Sequence, residues 1–498
     1  MPDTRPNVLV LFTDMQRADT IGALGNEVIR TPTLDRLVRE GTAFTRAYTP
    51  CPVCVPARWC MHYGRYTTKS GLFANGRMPE DDGLSLPALL GKAGYRTQSV
   101  GKCHFTPDKA ALRGFDARLL QEECCSDPET DDYCAWLRDR GLDYDEPQGT
   151  RGDMYYTPQV SLHDEASHPT TWVADRSIDF LNEKAGNDQP WFLFSSFIHP
   201  HPPLAPPKPW HKLYRGPQMP HPNVPEGSET AYTWVNRLQN RYKYRDQGID
   251  RNLVRQIKAY YYATISFVDF QIGRILETLD NAGRLDNTLI VFSSDHGEYL
   301  GDFNCFGKRA MHDPSSRIPL LVRYPERFAA GQRVDQPVSL VDVLPTVGAA
   351  AGVDTAALIL DGLDLAGVAG GSTDRPYVFS QLCEGKKGIY MITSGDWKYV
   401  YSAGDDLELL YDLKNDPQES VNLAQVADAQ AVKAELKTAQ LEFLKAEGQT
   451  DAYIETPAGL DWRSYPRTDE SYLADPDARL LLQDHDAYTL DRPGYMTV

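Results

Sequence analysis

Val8-Leu9-Val10-Leu11-Phe12 is an unbroken apolar, β-rich run, and it ends at Thr13-Asp14. A stretch apolar at every position, rather than at every second one, belongs to a strand covered on both faces. Its last residue sets a carboxylate at the carboxyl end of a central strand, the edge at which open α/β sheets bind ligands. Three more strands follow, the second and third of them largely apolar. Residues 95–100 finish in Gly101-Lys102-Cys103-His104, and residues 191–197 deliver Ile198-His199-Pro200-His201-Pro202-Pro203. Residues 289–292 end in Ser293-Ser294-Asp295-His296-Gly297-Glu298. Helical signals alternate with them. Thr31-Pro32 starts a helix with Leu34, Leu37 and Val38 inward, which Gly41 stops. Ser85 caps another through Leu89 and Leu90, closed by Gly94. Ile265, Val268, Ile272, Ile275, Leu276 and Leu279 recur at helical spacing up to Gly283. Strand alternating with helix predicts an α/β fold, a large mostly parallel sheet flanked by helices.

The pattern changes near Gly370-Gly371-Ser372. Short strands follow at 377–382, 388–393, 397–402 and 409–413, with turn residues between them, and then a polar helix over 424–446. This divides the chain into a catalytic-sized α/β domain (1–371), a smaller antiparallel C-terminal subdomain (372–447) and a C-terminal extension (448–498). The extension keeps Trp462, Tyr465, Tyr472 and Tyr488, too aromatic for a disordered tail, so it has to pack on something. Residues 105–188 are irregular and rich in Asp, Glu and Tyr, with Cys124-Cys125 and Cys134. They read as surface excursions and flanking helices, with no assignable chemistry.

With 498 residues, one large and one smaller domain are expected. A net charge of −18 argues against nucleic acid and acidic membranes, whose phosphates it repels. The nine cysteines, an odd number scattered along the chain, do not form a disulfide framework. The chain goes from Met1-Pro2-Asp3 directly into a strand without a basic, apolar leader or a membrane-length apolar run, so a cytoplasmic protein is expected.

The stretch that carries chemistry is Cys51-Pro52-Val53-Cys54-Val55-Pro56-Ala57-Arg58-Trp59-Cys60-Met61-His62-Tyr63-Gly64-Arg65. Proline is tolerated in the first helical turn, so Pro56 starts a short helix, Cys54 falls at its N-cap, and Gly64 supplies the left-handed stop. Position 54 then points out of a helix N-terminus, where free N–H groups favour an anion. Arg58, one turn on, can grip a tetrahedral oxyanion. Cys51 and Cys54 also form a C-x-x-C, which leaves a redox pair or half a zinc site open. No second such pair lies nearby to complete four ligands.

Cys54-Val55-Pro56-Ala57-Arg58 with Gly64-Arg65 resembles the C-x-P-[SA]-R-x(5)-G-R signature of type I sulfatases, in the alkaline phosphatase superfamily. The resemblance runs over about residues 7–445. It implies that a maturase oxidises Cys54 to formylglycine, whose hydrated aldehyde is the nucleophile. It implies a divalent metal, calcium first and manganese or magnesium next, held by Asp14, Cys54, Asp295 and His296, since carboxylate oxygens suit a hard cation. This chain departs from the pattern at Met15, where the family has an oxygen ligand, so either Gln16 substitutes or the site has one ligand fewer. Lys102 and His104 match the family's G-K-x-H, whose side chains contact the sulfate or the formylglycine. His201 and Lys308 match the groups near the leaving oxygen. His199 and His312 read as buried, hydrogen-bonded histidines, and His62 either contacts substrate or faces solvent.

The implied function is hydrolysis of small sulfate monoesters. Two readings stand beside it. One is a phosphonate monoester or phosphodiester hydrolase of the same fold, a group that lacks the G-K-x-H pair found here. The other is a silent metal- or anion-binding protein. The expected partners are a small sulfate ester and the maturase. A homo-oligomer tied by the C-terminal extension, with Trp462 and Tyr465 as anchors, is a further expectation, and the tail wrapping its own domain is the alternative.

Overall fold

The computed structural model describes residues 5–123, 127–151, 157–184, 188–244, 250–355 and 357–467. The Cys124-Cys125 pair and the end of the C-terminal extension, with Tyr472 and Tyr488, lie outside the described residues.

The strands in chain order are β1 (Asn7–Asp14), β2 (Thr42–Phe44), β3 (Ala47–Tyr48), β4 (Arg96–Gly101), β5 (Ala117–Leu119), β6 (Trp191–Pro200), β7 (Thr288–Ser294), β8 (Arg317–Ile318), β9 (Leu320–Arg323), β10 (Gln332–Val334) and β11 (Val338–Ser339). Eight of them form one sheet in the order β10-β2-β9-β7-β1-β6-β4-β5. Every neighbouring pair is parallel except the two made by β9. The sheet is thus mostly parallel, as the uniformly apolar strands require. β3, β8 and β11 make a small second sheet beside it.

β1 lies at the centre, between β6 and β7. Its side chains alternate between two cores. Val8, Val10 and Phe12 face one that includes the helix Cys54–Tyr63, and Leu9 and Leu11 face the other, with the helices Pro32–Glu40, Pro169–Lys184 and Arg251–Asn281. Phe192 and Phe194 of β6 join the first core and Leu193 the second, as the period of two dictates. The registers Asp14↔Pro200, Thr13↔Ser294 and Gly101↔Ser196 bring the carboxyl ends of four strands to one edge.

The C-terminal part is an antiparallel sheet of β12 (Val378–Leu382), β13 (Ile389–Thr393), β14 (Trp397–Ser402) and β15 (Leu407–Asp412), covered by the helix Gln430–Ala446. A hairpin of β16 (Tyr453–Thr456) and β17 (Gly459–Trp462) follows. The described part of the extension packs on its own subdomain. Trp462 is buried, stacks on Tyr390 and Tyr401, and donates its indole N–H to the Tyr399 hydroxyl. Tyr465 donates its hydroxyl to the Asp451 carbonyl. Trp462 is buried and Tyr465 half-buried against their own subdomain. No helix among the described residues is long and apolar enough to cross a membrane.

Candidate active site

The helix that carries the nucleophile candidate runs from Cys54 to Tyr63, with Val53 at its N-cap and Gly64 in the left-handed conformation beyond it. It starts two residues earlier than Pro56 suggested, so Cys54 is the first helical residue and not the cap. The thiol is also buried, because the carboxyl ends of β1 and β7 close over it. Cys51 and Cys54 are both free thiols, and Cys51 Sγ points instead at the Phe73 carbonyl, 3.7 Å away. Among the described residues Cys51 belongs to no group of three or more that could hold a metal.

Arg58 does not reach out to grip a substrate oxyanion. Its buried guanidinium donates Nε to Asp295 Oδ2 (3.0 Å) and one terminal nitrogen to Asp14 Oδ2 (3.1 Å). The other terminal nitrogen donates to the Lys102 carbonyl (2.7 Å) and Ser196 Oγ (3.0 Å). Four of its five N–H donors are directed into protein, so Arg58 is a brace that fixes both carboxylates. Lys102 Nζ takes the same Asp14 Oδ2 at 2.7 Å.

That bracing turns the remaining lone pairs inward. His296 donates Nδ1–H to the Gly297 carbonyl, which leaves Nε2 as an acceptor. Nε2 lies 3.2 Å from Cys54 Sγ, 3.5 Å from Asp295 Oδ1 and 3.8 Å from Asp14 Oδ1. Cys54 Sγ in turn lies 3.8 Å from Asp14 Oδ1. Two carboxylate oxygens, an imidazole nitrogen and a sulfur thus converge on one point, and the four residues could hold a metal ion. The two carboxylates among them suit a hard divalent ion.

Titration reflects the same crowding. Burial works to raise Asp14, but Lys102, His201, Arg58 and Lys308 outweigh it and hold that carboxyl well below its usual range. For Asp295 burial and the Asp14 charge prevail and push it up to about 7. Burial, then the Asp14 charge, push the Cys54 thiol up to about 12, so as an unmodified thiol it is protonated at neutral pH and lacks the thiolate that attacks.

Met15, at the anomalous position, contributes its backbone. It sits at φ 66°, donates its N–H to Asp295 Oδ1 (3.0 Å) and accepts from the Tyr261 hydroxyl (2.7 Å). Gln16 places its Nε2 on Thr20 Oγ1 (3.2 Å), and its Oε1 is a buried acceptor with no hydrogen-bond partner.

A second group lies on the other side of Cys54. Lys308 Nζ donates to Cys54 Sγ at 3.0 Å and is 3.3 Å from His201 Nε2. His201 donates Nδ1–H to the Pro202 carbonyl (2.7 Å), so its Nε2 is the acceptor for Lys308. Burial pushes His201 down to about 4 although Glu123 pulls the other way, so its ring is neutral at pH 7. His104 stands at φ 57° in the turn after β4, its backbone N–H on the Glu122 carboxylate and its Nδ1 buried without a partner. Burial, with Lys102 adding to it, lowers His104 well below the usual histidine range.

Glu123 escaped the reading of the sequence altogether. Its carboxylate bonds Lys102 Nζ (2.5 Å) and Arg151 (3.1 Å) and lies 3.6 Å from His201 Nε2. Residues 105–188 are therefore not all excursions, since they supply β5, at the edge of the main sheet, and this carboxylate. The only available signal was the acidic pair Glu122-Glu123 after a short apolar step. His62 is also not as expected, since it neither faces solvent nor meets substrate. Its ring is buried among Phe105, Phe115 and Phe194, and neither nitrogen has a hydrogen-bond partner. His199 bonds Thr170 Oγ1, and His312 bonds the Tyr299 and Tyr411 hydroxyls, as buried structural histidines.

Comparison with known proteins bears on this geometry. The sulfatase family model matches residues 6–353, and the model for the C-terminal region of N-sulphoglucosamine sulphohydrolase matches residues 301–447. The arylsulfatase of Clostridium perfringens is 31% identical over 84% of this chain and 90% of its own length. The multifunctional alkaline phosphatase superfamily protein PehA of Trinickia caryophylli is 28% identical over 93% of this chain and all of its own. Among solved structures, the phosphonate monoester hydrolase of Agrobacterium radiobacter superposes with a TM-score of 0.75 at 27% identity, covering 93% of this chain and 100% of that one.

Proposed function

This chain belongs to the sulfatase family and is a sulfuric ester hydrolase, and we propose that it cleaves small sulfate monoesters through a formylglycine at position 54 and a hard divalent cation, calcium first. The observation that carries the proposal is the cluster of Asp14, Asp295, His296 and Cys54, whose lone pairs converge with the cations Lys102 and Lys308 beside them. Gln16, with its orphaned Oε1, is the fifth group proposed toward the ion.

The cation would supply Lewis acidity to the reacting oxygens, and a hydrated formylglycine would supply an attacking hydroxyl and a second one whose proton is later lost. The rest falls to this chain's side chains. Arg58 holds Asp14 and Asp295 in place through their Oδ2 atoms. Lys102 and Lys308 balance the sulfuryl oxygens as charge shifts onto them. Lys308 gives a proton to the leaving oxygen, and neutral His201, accepting another Lys308 proton at Nε2, aims it. His104, kept neutral by burial, is the proposed acceptor for the proton of the second hydroxyl.

The buried Cys54 thiol supports the modification, since a protonated thiol is a poor nucleophile and cannot offer two hydroxyls. All seven cysteines among the described residues are free, which supports a reducing, cytoplasmic setting. The maturase and a small sulfate ester are the proposed partners. Acidic net charge argues against nucleic acid or anionic membranes. A homo-oligomer is proposed only through residues 468–498, and truncation after position 467 followed by light scattering tests it.

The likeness to the Agrobacterium phosphonate monoester hydrolase favours a second reading, cleavage of phosphonate monoesters, which the pair Lys102 and His104 argues against. The deciding experiment takes protein co-expressed with a maturase, measures the mass of the peptide holding Cys54, and compares p-nitrophenyl sulfate with a p-nitrophenyl phosphonate monoester. Formylglycine with higher kcat/KM on the sulfate is expected. A quantitative free thiol with no turnover of either ester would leave a silent binding protein.

A further inference from the structure

Sulfate and phosphate monoesters have the same tetrahedral shape, and what separates them near neutral pH is charge. A sulfate monoester carries one negative charge, whereas a phosphate monoester, with a second pKa near about 6, carries close to two. A site that selects between them therefore needs a charge balance tuned to one.

The balance here contains a carboxylate that the reaction does not call for. Asp14 and Asp295 are committed to the cluster beside Cys54, and Arg58 braces both. Glu123 stands on the opposite side, on Lys102 at 2.5 Å and Arg151 at 3.1 Å. An oxygen of its carboxylate, Cys54 Sγ and a nitrogen of His201 all lie within 4.8 Å of one another. A sulfur or phosphorus under attack from position 54 has to come within roughly 3–3.5 Å of the attacking atom. Its non-bridging oxygens then share Lys102 with Glu123 and sit beside a fixed negative charge. Arg151 is the cation that offsets this charge from behind.

We propose that Glu123 is a specificity-determining residue, a fixed anion at the sulfuryl position that admits monoanionic esters and penalises dianionic phosphate monoesters. The penalty follows from Coulomb's law. At a separation near 5 Å and an effective dielectric constant of about 20, each added unit of substrate charge is disfavoured by roughly two-hundredfold to three-hundredfold before the neighbouring cations offset it. A singly charged ester meets that repulsion once and a doubly charged one twice, while the cations beside Cys54 attract both. The inference rests on the reading of the site as an ester hydrolase, and it names which esters the site refuses.

The test uses full-length, metal-loaded protein and two probes with one leaving group, p-nitrophenyl sulfate and p-nitrophenyl phosphate, at pH 8. Glu123→Gln should lower the sulfate-to-phosphate ratio of kcat/KM by about tenfold or more. Glu123→Asp, which keeps the charge, should hold the ratio within about threefold of wild type. Arg151→Met removes the offsetting cation and should move the ratio the other way. An unchanged ratio in Glu123→Gln, or equal shifts in the Gln and Asp variants, overturns the proposal. If Glu123→Gln does not fold, the Arg151→Met arm decides, and an unchanged ratio there overturns it as well. If wild type instead prefers a phosphonate monoester, the sulfatase reading fails, and the same variants are judged on the ratio of that monoanion to the phosphate. A ratio that still falls in Glu123→Gln then upholds the role of Glu123.

Discussion

Two of the buried charge clusters in this molecule are built to opposite ends. Where the α/β domain meets the antiparallel sheet, Lys398 Nζ is bonded to Asp313, to Glu419 Oε1 (2.7 Å) and to the Met311 carbonyl (3.0 Å). Asp313 is held further by Arg317, and Glu419 accepts the Asp313 backbone N–H. Every carboxylate there has a donor between it and its rival. Beside Cys54, by contrast, Arg58 and Lys102 take the outer oxygens of the carboxylates, and the inner ones converge with the His296 ring nitrogen and the Cys54 sulfur. Both clusters hold a carboxyl that burial lifts to about 7, Glu419 in one and Asp295 in the other. The first is a closed structural network, and the second is the one proposed to admit a cation.

The contrast breaks if the clusters respond alike to substitution. Cys54→Ala should abolish turnover, by at least about 10³-fold, with the melting temperature close to wild type. Steady-state kinetics beside a thermal melt read both quantities. Lys398→Met should do the reverse. Removing one partner of a buried pair destabilises by about 3–5 kcal/mol, seen in urea denaturation, while kcat of the remaining folded fraction stays near wild type. Loss of kcat in well-folded Lys398→Met would mean that the closed network also serves the reaction.

Acidity sharpens the comparison. A proton on Asp295 competes with the cation, so metal affinity should climb up to about pH 7 and level off above it. Asp295→Asn should bind the ion weakly and without that pH dependence, as calorimetric titration across pH 5.5–8.5 would report. In chelated protein the sign for stability is opposite. A carboxyl raised from 3.8 to about 7 on folding contributes stability that is complete below its unfolded value and lost as pH rises through 7. Chelated Asp295→Asn should then be more stable than chelated wild type at pH 8, by at least about 1 kcal/mol.

The smallest effect concerns a residue in neither cluster. His62 has no hydrogen-bond partner for either ring nitrogen, and burial lowers it from 6.5 to about 3. His62→Leu should stabilise by about 1–2 kcal/mol at pH 7, because it removes an unsatisfied buried polar group. The unfolded chain protonates this ring below pH 6.5 and the folded one does not, so stability falls as pH drops from 6.5 toward 3. The leucine variant should lose up to about 1.4 kcal/mol less per pH unit in that window. A variant that melts lower at both pH values would show that the imidazole has a partner after all.

Much of the fold was legible because its signals are local. The apolar strands at 8–12, 191–194 and 289–292 are the kind covered on both faces, and their terminal carboxylates and histidines had to share an edge. Asp14, Asp295 and His296 were placed together on that ground and on the resemblance to sulfatases. Arg58 was misread because helical spacing shows which face a side chain takes and not what the sheet presents there. Two carboxylates from strands far apart in sequence meet it. Glu123 and Arg151 come from irregular segments, where neither periodicity nor capping points to position. The burial of Trp462 was equally hidden, since a four-residue hairpin strand is too short to set a pattern.

The strand order has one more consequence, in time rather than space. β1 needs β6 and β7 as neighbours, and the residues that bury Cys54 include Asp295, His296 and Lys308. At about 5–20 residues per second, the roughly 240 residues between position 54 and Asp295 take about 12–50 s to synthesise. For that interval the cysteine helix has no sheet edge to hide under, and once the last central strand docks, all ten of its residues are buried. Any enzyme that alters Cys54 therefore works against a clock set by β7, and a slowly translated stretch before position 288 would lengthen its window without touching the site.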